Sequence, residues 1–189
     1  MVALPSTMLP LGSPLSDFRL PDPEGNLHGP SDVADTEGLL VAFVCNHCPY
    51  VRHTSATLGK AAQQWAGQGL AIIAINSNDI ASYPEDGPKH MTTFARENDW
   101  LFPYLLDETQ EVAQRFRAAC TPDFFLFDSD QALVYRGQMD SSRPKNDEPV
   151  TGEDLRKAVS AVLNGQKPDG EQRPSLGCAI AWKPGNEPG

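Results

Sequence analysis

The sequence has no excess of basic residues. Its 15 Lys and Arg stand against 25 Asp and Glu, which gives the 189-residue chain a formal net charge of −10. Nucleic-acid binding depends largely on Lys and Arg side chains that neutralise phosphates, and docking on anionic lipid depends on the same charges. The composition therefore argues against nucleic acid and membrane as partners.

Long apolar segments are also missing. No stretch approaches the roughly 18 apolar residues that a membrane-spanning helix needs. The N-terminus, residues 1–20, lacks the basic start and apolar run of a signal peptide, because Pro5, Pro10 and Pro14 interrupt it. We therefore expect a cytoplasmic protein. In that reducing compartment, the four cysteines are not expected to form structural disulfides.

Internal repeats, low-complexity blocks and interdomain linkers are absent from the sequence as well. A length of 189 residues suits one domain with a substantial core. We expect a single domain, 1–189. It would have an extended or hairpin-like N-terminal extension at 1–37, rich in Pro, Gly and Asp, and a Pro- and Gly-rich surface tail at 166–189.

The pattern of apolar residues predicts an α/β fold. Two continuous apolar runs, at 39–44 and 70–76, indicate strands that are buried on both faces. Apolar spacing together with Pro and Gly punctuation predicts helices at 45–68, 88–99, 109–118 and 152–164. Shorter strands are predicted at 102–106, 124–127 and 132–136, the last two as an antiparallel hairpin. This alternation predicts a central mixed sheet flanked by helices.

The first buried strand leads directly into Cys45-Asn46-His47-Cys48. A helix that starts at Cys45 or Asn46 would place both sulfurs in its first turn, where free amides and the helix dipole favour a thiolate. We expect Cys45 to be the nucleophile, with a pKa below the ordinary value of about 8.5. We expect Cys48 to be the less accessible, resolving thiol. His47 and Asn46 would tune the pKa of the Cys45 thiol.

One C-x-x-C motif is not specific to redox chemistry. Cys45, His47 and Cys48 could instead form part of a metal site, or the two cysteines could be inert core residues. Zinc normally takes four ligands, and neither Cys120 nor Cys178 belongs to a second C-x-x-C. The strand-then-helix context favours the redox interpretation. We predict neither a bound metal nor another cofactor.

Thr121-Pro122 supports the redox interpretation. The dipeptide leads into the apolar strand at 124–127, and a proline at that place predicts a cis peptide bond in a substrate-binding turn. An ordinary proline at the start of a strand is the alternative. Cys120 beside it and Cys178 in the tail are candidate accessory thiols. Each is explained at least as well as a small packed apolar residue.

Two further expectations concern acids and the tail. Glu85, Asp86 and Asp123 could relay protons, but acids in turns usually lie on the surface, and we expect that of these three.

Ile180 and Trp182 offer apolar surface, so the segment around Gly177 and Cys178 is expected to fold back against the body.

Seven stretches resemble a known family: CNHCPYV (45–51), YPED (83–86), FPYLLDETQEVA (102–113), CTPDFFLFD (120–128), VYRGQ (134–138), SRP (142–144) and PSLGC (174–178). They are similar to the peroxiredoxin-like (AhpC/TSA, redoxin) proteins of the thioredoxin superfamily. The resemblance implies a thioredoxin-like fold with an N-terminal hairpin, and an insertion within 77–108 that precedes the cis-proline. It also implies that Cys45 is the nucleophile, that Cys48 is the resolving cysteine, and that Pro122 receives the substrate backbone.

The sequence departs from the family patterns at three positions. Peroxiredoxins usually carry Pro and Thr seven and three residues before the reactive cysteine, where this chain has Gly38 and Ala42. Thioredoxin carries a buried acid six residues before its first cysteine, where this chain has Leu39. We therefore predict a thiol–disulfide oxidoreductase. A thiol peroxidase that uses Cys45 and a metal-binding protein are the alternatives.

The expected partners follow from that chemistry. They are disulfide-containing proteins or small thiols, together with an electron donor that the sequence does not identify.

Overall fold

The computed structural model describes residues 3–187. Its strands are β1 (Ala3–Pro5), β2 (Leu20–Pro21), β3 (Leu27–His28), β4 (Gly38–Phe43), β5 (Leu70–Asn76), β6 (Tyr104–Leu106), β7 (Cys120–Thr121), β8 (Asp123–Asp128), β9 (Leu133–Gly137) and β10 (Leu176–Ala179). Its α-helices are α1 (Pro49–Ala66), α2 (Pro88–Glu97), α3 (Glu111–Phe116) and α4 (Glu153–Leu163). Over the described residues, none of these helices is long and apolar enough to cross a bilayer.

Five strands form a mixed sheet at the centre of the fold, in the order β6-β5-β4-β8-β9. The pairs β4–β5 and β5–β6 are parallel, whereas β8 runs antiparallel to both β4 and β9. Strand β4 lies in the middle, and all of its residues are buried. The predicted α/β class, with a central mixed sheet flanked by helices, is confirmed.

The side chains of β4 alternate between two apolar cores. Leu40 and Ala42 lie in the core on the side of α1 and α4, and Val41 and Phe43 lie in the core on the side of α3. This period of two is the period of a strand. Because both faces of the sheet are covered, the strand reads as a continuous apolar run rather than as an alternating pattern.

The first helix starts later than the sequence predicts. Pro49 is its first residue and Cys48 is its N-cap. Proline suits the first helical position, where its missing amide hydrogen is not needed and its φ is already helical. Cys45 and Asn46 therefore lie in the loop between β4 and α1, and the Val51 amide in the first turn of α1 donates to the Cys48 sulfur.

The two ends of the chain pair with each other and with the body. Strands β2 and β3 form the hairpin expected of the N-terminal extension. Strand β10 pairs antiparallel with β1 on one side and with β7 on the other. The expectation of a surface tail is wrong for this segment, because Cys178 and Ile180 are each only 4% exposed. The expectation that it folds back is confirmed.

Candidate functional site

The sulfurs of Cys45 and Cys48 meet at Thr121. Cys45 Sγ lies 3.4 Å from Thr121 Oγ1, and Cys48 Sγ lies 3.2 Å from the Thr121 carbonyl oxygen. Cys178, which is 130 residues further along the chain than Cys48, joins them with its Sγ 2.7 Å from Cys48 Sγ. The structure thus brings together two predicted site cysteines, one candidate accessory thiol and the predicted substrate-binding threonine.

Sheet pairing explains why these distant residues are neighbours. The Thr121-Pro122 peptide bond is cis, as the sequence predicts. Asp123, directly after this bond, pairs with Phe43 at the end of β4. Cys45 lies two residues after Phe43. The cis-proline turn and the C-x-x-C loop therefore lie at the same end of two adjacent strands.

Negative charge on the sulfurs is favoured at Cys48 rather than at Cys45. Hydrogen bonds from the Cys178 and Cys45 side chains lower the pKa of Cys48, and the backbone amide of Val51 in the first turn of α1 adds to this effect. Interaction with the Cys48 sulfur, and then burial, raises the pKa of Cys45. The predicted lowering at Cys45 is wrong, because the Cys48 sulfur and burial oppose charge there and the helix begins only at Pro49.

Burial corrects a second expectation. Cys45 and Cys48 are both 0% exposed, so the predicted difference in accessibility between them is not present. Cys120 is also buried, with its sulfur 3.9 Å from the Pro122 carbonyl oxygen. Desolvation raises the pKa of Cys120, which is the behaviour of a packed apolar residue.

Asp86 holds the C-x-x-C loop in place. Its fully buried carboxylate accepts hydrogen bonds from the backbone amides of Asn46 at 2.8 Å and His47 at 3.2 Å, and from the side-chain amide of Asn78 at 2.8 Å. It also pairs with His47 Nδ1 at 2.6 Å. The imidazole stacks on Tyr83, with ring centroids 4.9 Å apart. The expected surface position is therefore wrong for Asp86, whose carboxylate orients His47.

Asn46 ties the same loop to two other segments. Its side-chain amide donates to the Glu85 carbonyl at 2.9 Å, and its side-chain oxygen accepts from the Tyr104 hydroxyl at 3.0 Å. These contacts join the loop after β4 to the turn at Pro84–Asp86 and to β6. The side chain of Glu85 itself is exposed, as expected.

The donor atoms of Cys45, His47 and Asp86 all lie within 4.8 Å of one another. Thiolate, imidazole and carboxylate are all ligands that zinc accepts. The sequence suggests Cys45, His47 and Cys48 as metal ligands, whereas the structure groups Cys45 and His47 with Asp86. The hydrogen bond between Asp86 and His47 Nδ1 also matches the common arrangement in which a carboxylate orients a metal-binding imidazole through its other ring nitrogen.

A buried acid directly follows the cis-proline. Asp123 is 0% exposed, and among the described residues neither of its carboxylate oxygens has a hydrogen-bond partner. Burial raises the pKa of Asp123 well above its usual range. The expected surface position is wrong for Asp123. The chain thus has a protonatable buried carboxyl, although the position that thioredoxin uses is Leu39.

Comparison with known proteins places this site in a family. The sequence profile of the AhpC/TSA family matches residues 11–136. The structure of a hypothetical protein from Sinorhizobium meliloti is 47% identical, with a TM-score of 0.94 over 96% of this chain and 99% of that chain. The structure of an uncharacterized conserved protein from Geobacillus kaustophilus is 48% identical, with a TM-score of 0.94 over 97% and 98% of the two chains.

A more distant structure identifies the fold. The thioredoxin domain of a thiol-disulfide oxidoreductase from Bacteroides vulgatus is 18% identical, with a TM-score of 0.58 over 69% of this chain and 89% of that chain. The predicted thioredoxin-like fold is thereby confirmed. A search of curated proteins gave no match.

Proposed function

The chain belongs to the AhpC/TSA family, and we propose that it is a thiol–disulfide oxidoreductase with Cys45 and Cys48 as its redox pair. The observation that carries the proposal is the contact of both sulfurs with Thr121, at 3.4 Å and 3.2 Å, beside the cis-proline. Disulfide exchange requires a thiolate, a second thiol within reach and access for the substrate.

In the proposed reaction, a Cys45 thiolate attacks a protein or small-molecule disulfide and forms a mixed disulfide. Cys48 then attacks the Cys45 sulfur, the second substrate thiolate leaves, and the Cys45–Cys48 disulfide remains. Both cysteines are buried, so the substrate must displace β10, the strand that places Cys178 against Cys48. Contact with Cys178 contributes most to the lowered pKa of Cys48. Displacement of β10 therefore also removes the strongest preference for negative charge at Cys48.

Insulin-disulfide reduction and hydroperoxide consumption, measured in the same preparation with dithiothreitol as reductant, test the proposal. We expect exchange to dominate. Cys45→Ser should abolish it, and Cys48→Ser should accumulate mixed disulfides that mass spectrometry detects. Cys120→Ala is the matched control and should retain activity. If Cys48→Ser abolishes exchange and Cys45→Ser traps mixed disulfides, the two roles are reversed.

A thiol peroxidase is the second candidate, favoured by the lowered pKa of Cys48 at the N-cap of α1. Peroxide reduction needs preorganised donors that stabilise the departing oxygen. Three residues before the reactive cysteine, where peroxiredoxins usually carry Thr, this chain has Ala42 for Cys45 and Cys45 for Cys48, and neither offers a hydroxyl. Rapid hydroperoxide turnover without insulin reduction would establish this candidate in place of the first. Metal analysis of the same preparation tests the third function, metal binding at Cys45, His47 and Asp86.

We further propose a cytoplasmic location, where disulfide-containing proteins or small thiols would be the partners. The electron donor would be a separate reductant of that compartment. Trapping with the Cys48→Ser variant in cell extract tests this, since the proposal expects cytoplasmic proteins among the mixed disulfides. Recovery of exported proteins alone would contradict it.

A further inference from the structure

Strand β10 fills the sheet edge that leads into the cis-proline. Cys178 pairs with Thr121, and Ala179 pairs with Cys120, in antiparallel register. On its other side, β10 is held by β1, where Cys178 pairs with Ala3. Addition of an extended peptide to an exposed strand edge is a common mode of peptide recognition. Here the chain's own tail occupies the edge beside the redox pair.

The tail lies too close to the cis-proline turn to carry a side chain at the contact. A Cβ atom on Gly177 would lie 2.0 Å from the Thr121 carbonyl oxygen and 3.1 Å from Pro122 N. Only glycine permits this approach. The residue type at position 177 is therefore matched to the docking of β10 on the Thr121-Pro122 peptide.

The following residue brings a thiol to the redox pair. Cys178 Sγ lies 2.7 Å from Cys48 Sγ, whereas a disulfide bond is about 2.05 Å long. Both residues are buried, at 4% and 0% exposed. The Cys48 side chain therefore contacts two others that carry a thiol, Cys45 and Cys178.

We propose that Cys178 is a third redox thiol, which β10 presents to the site as an internal substrate and which exchanges with the Cys45–Cys48 disulfide. The inference rests on the proposed function, because that disulfide is its starting species. The Cys178 thiol loses its proton, and its sulfur attacks Cys48 Sγ. The Cys48–Cys178 bond forms, the Cys45–Cys48 bond breaks, and Cys45 leaves as a thiolate that takes up a proton.

This exchange consumes no external oxidant or reductant, because one disulfide and one thiol are present before and after it. Its effect is to move the disulfide from Cys45 to Cys178, a cysteine held between β1 and β7. The oxidised protein then presents Cys45 as a free thiol beside Thr121.

Disulfide mapping tests the inference. The wild-type protein and the variants Cys45→Ser, Cys45→Ser/Cys178→Ser and Cys45→Ser/Cys120→Ala are oxidised with oxidised glutathione, quenched in acid, alkylated and analysed by peptide mass spectrometry. We expect the wild type to contain both the Cys45–Cys48 and the Cys48–Cys178 disulfides. Cys45→Ser and its Cys120→Ala derivative should form the Cys48–Cys178 link, and the double variant without Cys178 should lose it.

Gly177→Ala provides a second measurement that leaves every cysteine in place. Its Cβ cannot fit against Thr121, so we expect loss of the Cys48–Cys178 link and retention of the Cys45–Cys48 disulfide. A link that forms at wild-type yield in Gly177→Ala would overturn the assignment of β10 as the element that presents Cys178.

The results separate the two proposals. If the wild type forms Cys45–Cys48 and Cys45→Ser forms no Cys48–Cys178 link, the role of Cys178 is refuted and the proposed redox pair stands. If the wild type forms no Cys45–Cys48 disulfide, the proposed function fails, and the exchange fails with it.

Discussion

Replacement of Asp86 by Asn tests the buried network that holds the C-x-x-C loop. One carboxylate oxygen of Asp86 accepts the backbone amides of Asn46 and His47, and an amide oxygen can continue to do so. The other oxygen faces His47 Nδ1 at 2.6 Å and the Asn78 side-chain amide at 2.8 Å. In Asp86→Asn an NH₂ group replaces that oxygen, and it faces the Asn78 donor.

The expected loss of stability follows from those two contacts. Hydrogen bonds to a charged group contribute about 1.5–3 kcal/mol each. A change of tautomer would let His47 recover part of its contact, so we expect the free energy of unfolding to fall by about 3 kcal/mol. For a domain of this size, that corresponds to a decrease in Tm of about 6–12 °C.

Urea denaturation of the reduced protein, followed by Trp fluorescence, measures the difference. Glu85→Gln is the matched control, because its side chain is exposed and only its backbone carbonyl contacts Asn46. The control should lie within about 0.5 kcal/mol of the wild type. If Asp86→Asn and Glu85→Gln prove equally stable, the carboxylate does not hold the loop and the reasoning is refuted.

Three further predictions concern buried groups. Burial raises the pKa of Asp123 in the folded protein, so stability should decline as pH rises above the unfolded value of about 3.9 and should level off above the folded pKa. Asp123→Asn should remove that decline in urea titrations from pH 4 to 8, and an unchanged pH dependence would contradict the assignment. Because the pKa of Cys48 is lowered, thiolate absorbance near 240 nm should appear below pH 8.5, the ordinary thiol value, and Cys48→Ser should lack it. If only Cys45→Ser lacks this absorbance, the thiolate is Cys45. In Gly59→Ala the added Cβ would lie 2.0 Å from the Asn98 carbonyl oxygen. The free energy of unfolding should therefore fall by about 1–3 kcal/mol, although alanine is the better helix former. Wild-type stability of this variant in urea denaturation would refute the prediction.

The sequence alone determined the elements whose signals are local. The apolar runs at 39–44 and 70–76 predicted β4 and β5, because a strand covered on both faces needs an apolar side chain at nearly every position. Pro88 marked the first residue of α2. The C-x-x-C spacing was read directly, and a proline at the entrance to an apolar strand predicted the cis bond at Thr121-Pro122, which the structure confirms.

The start of α1 was less predictable. The apolar spacing placed the start at Cys45 or Asn46. Pro49 disfavours helical backbone at the residue before it, and Cys48, at φ −64° and ψ 122°, is the N-cap. Asp86 fixes the loop ahead of it by accepting the Asn46 and His47 amides. The later start leaves Cys45 outside the helix, and the contact with Cys178 contributes most to the lowered pKa of Cys48.

Only the tertiary structure decided which distant residues complete the site. Asp86 lies 39 residues from His47, and Cys178 lies 130 residues from Cys48. In the sequence, one belongs to a polar turn and the other to a Pro- and Gly-rich tail, and both compositions are typical of surface segments. Their burial depends on the order of strands in two sheets and on the closure of β10 between β1 and β7. No local preference of the chain specifies such pairing, because it is stabilised by contacts that exist only once the sheets have formed.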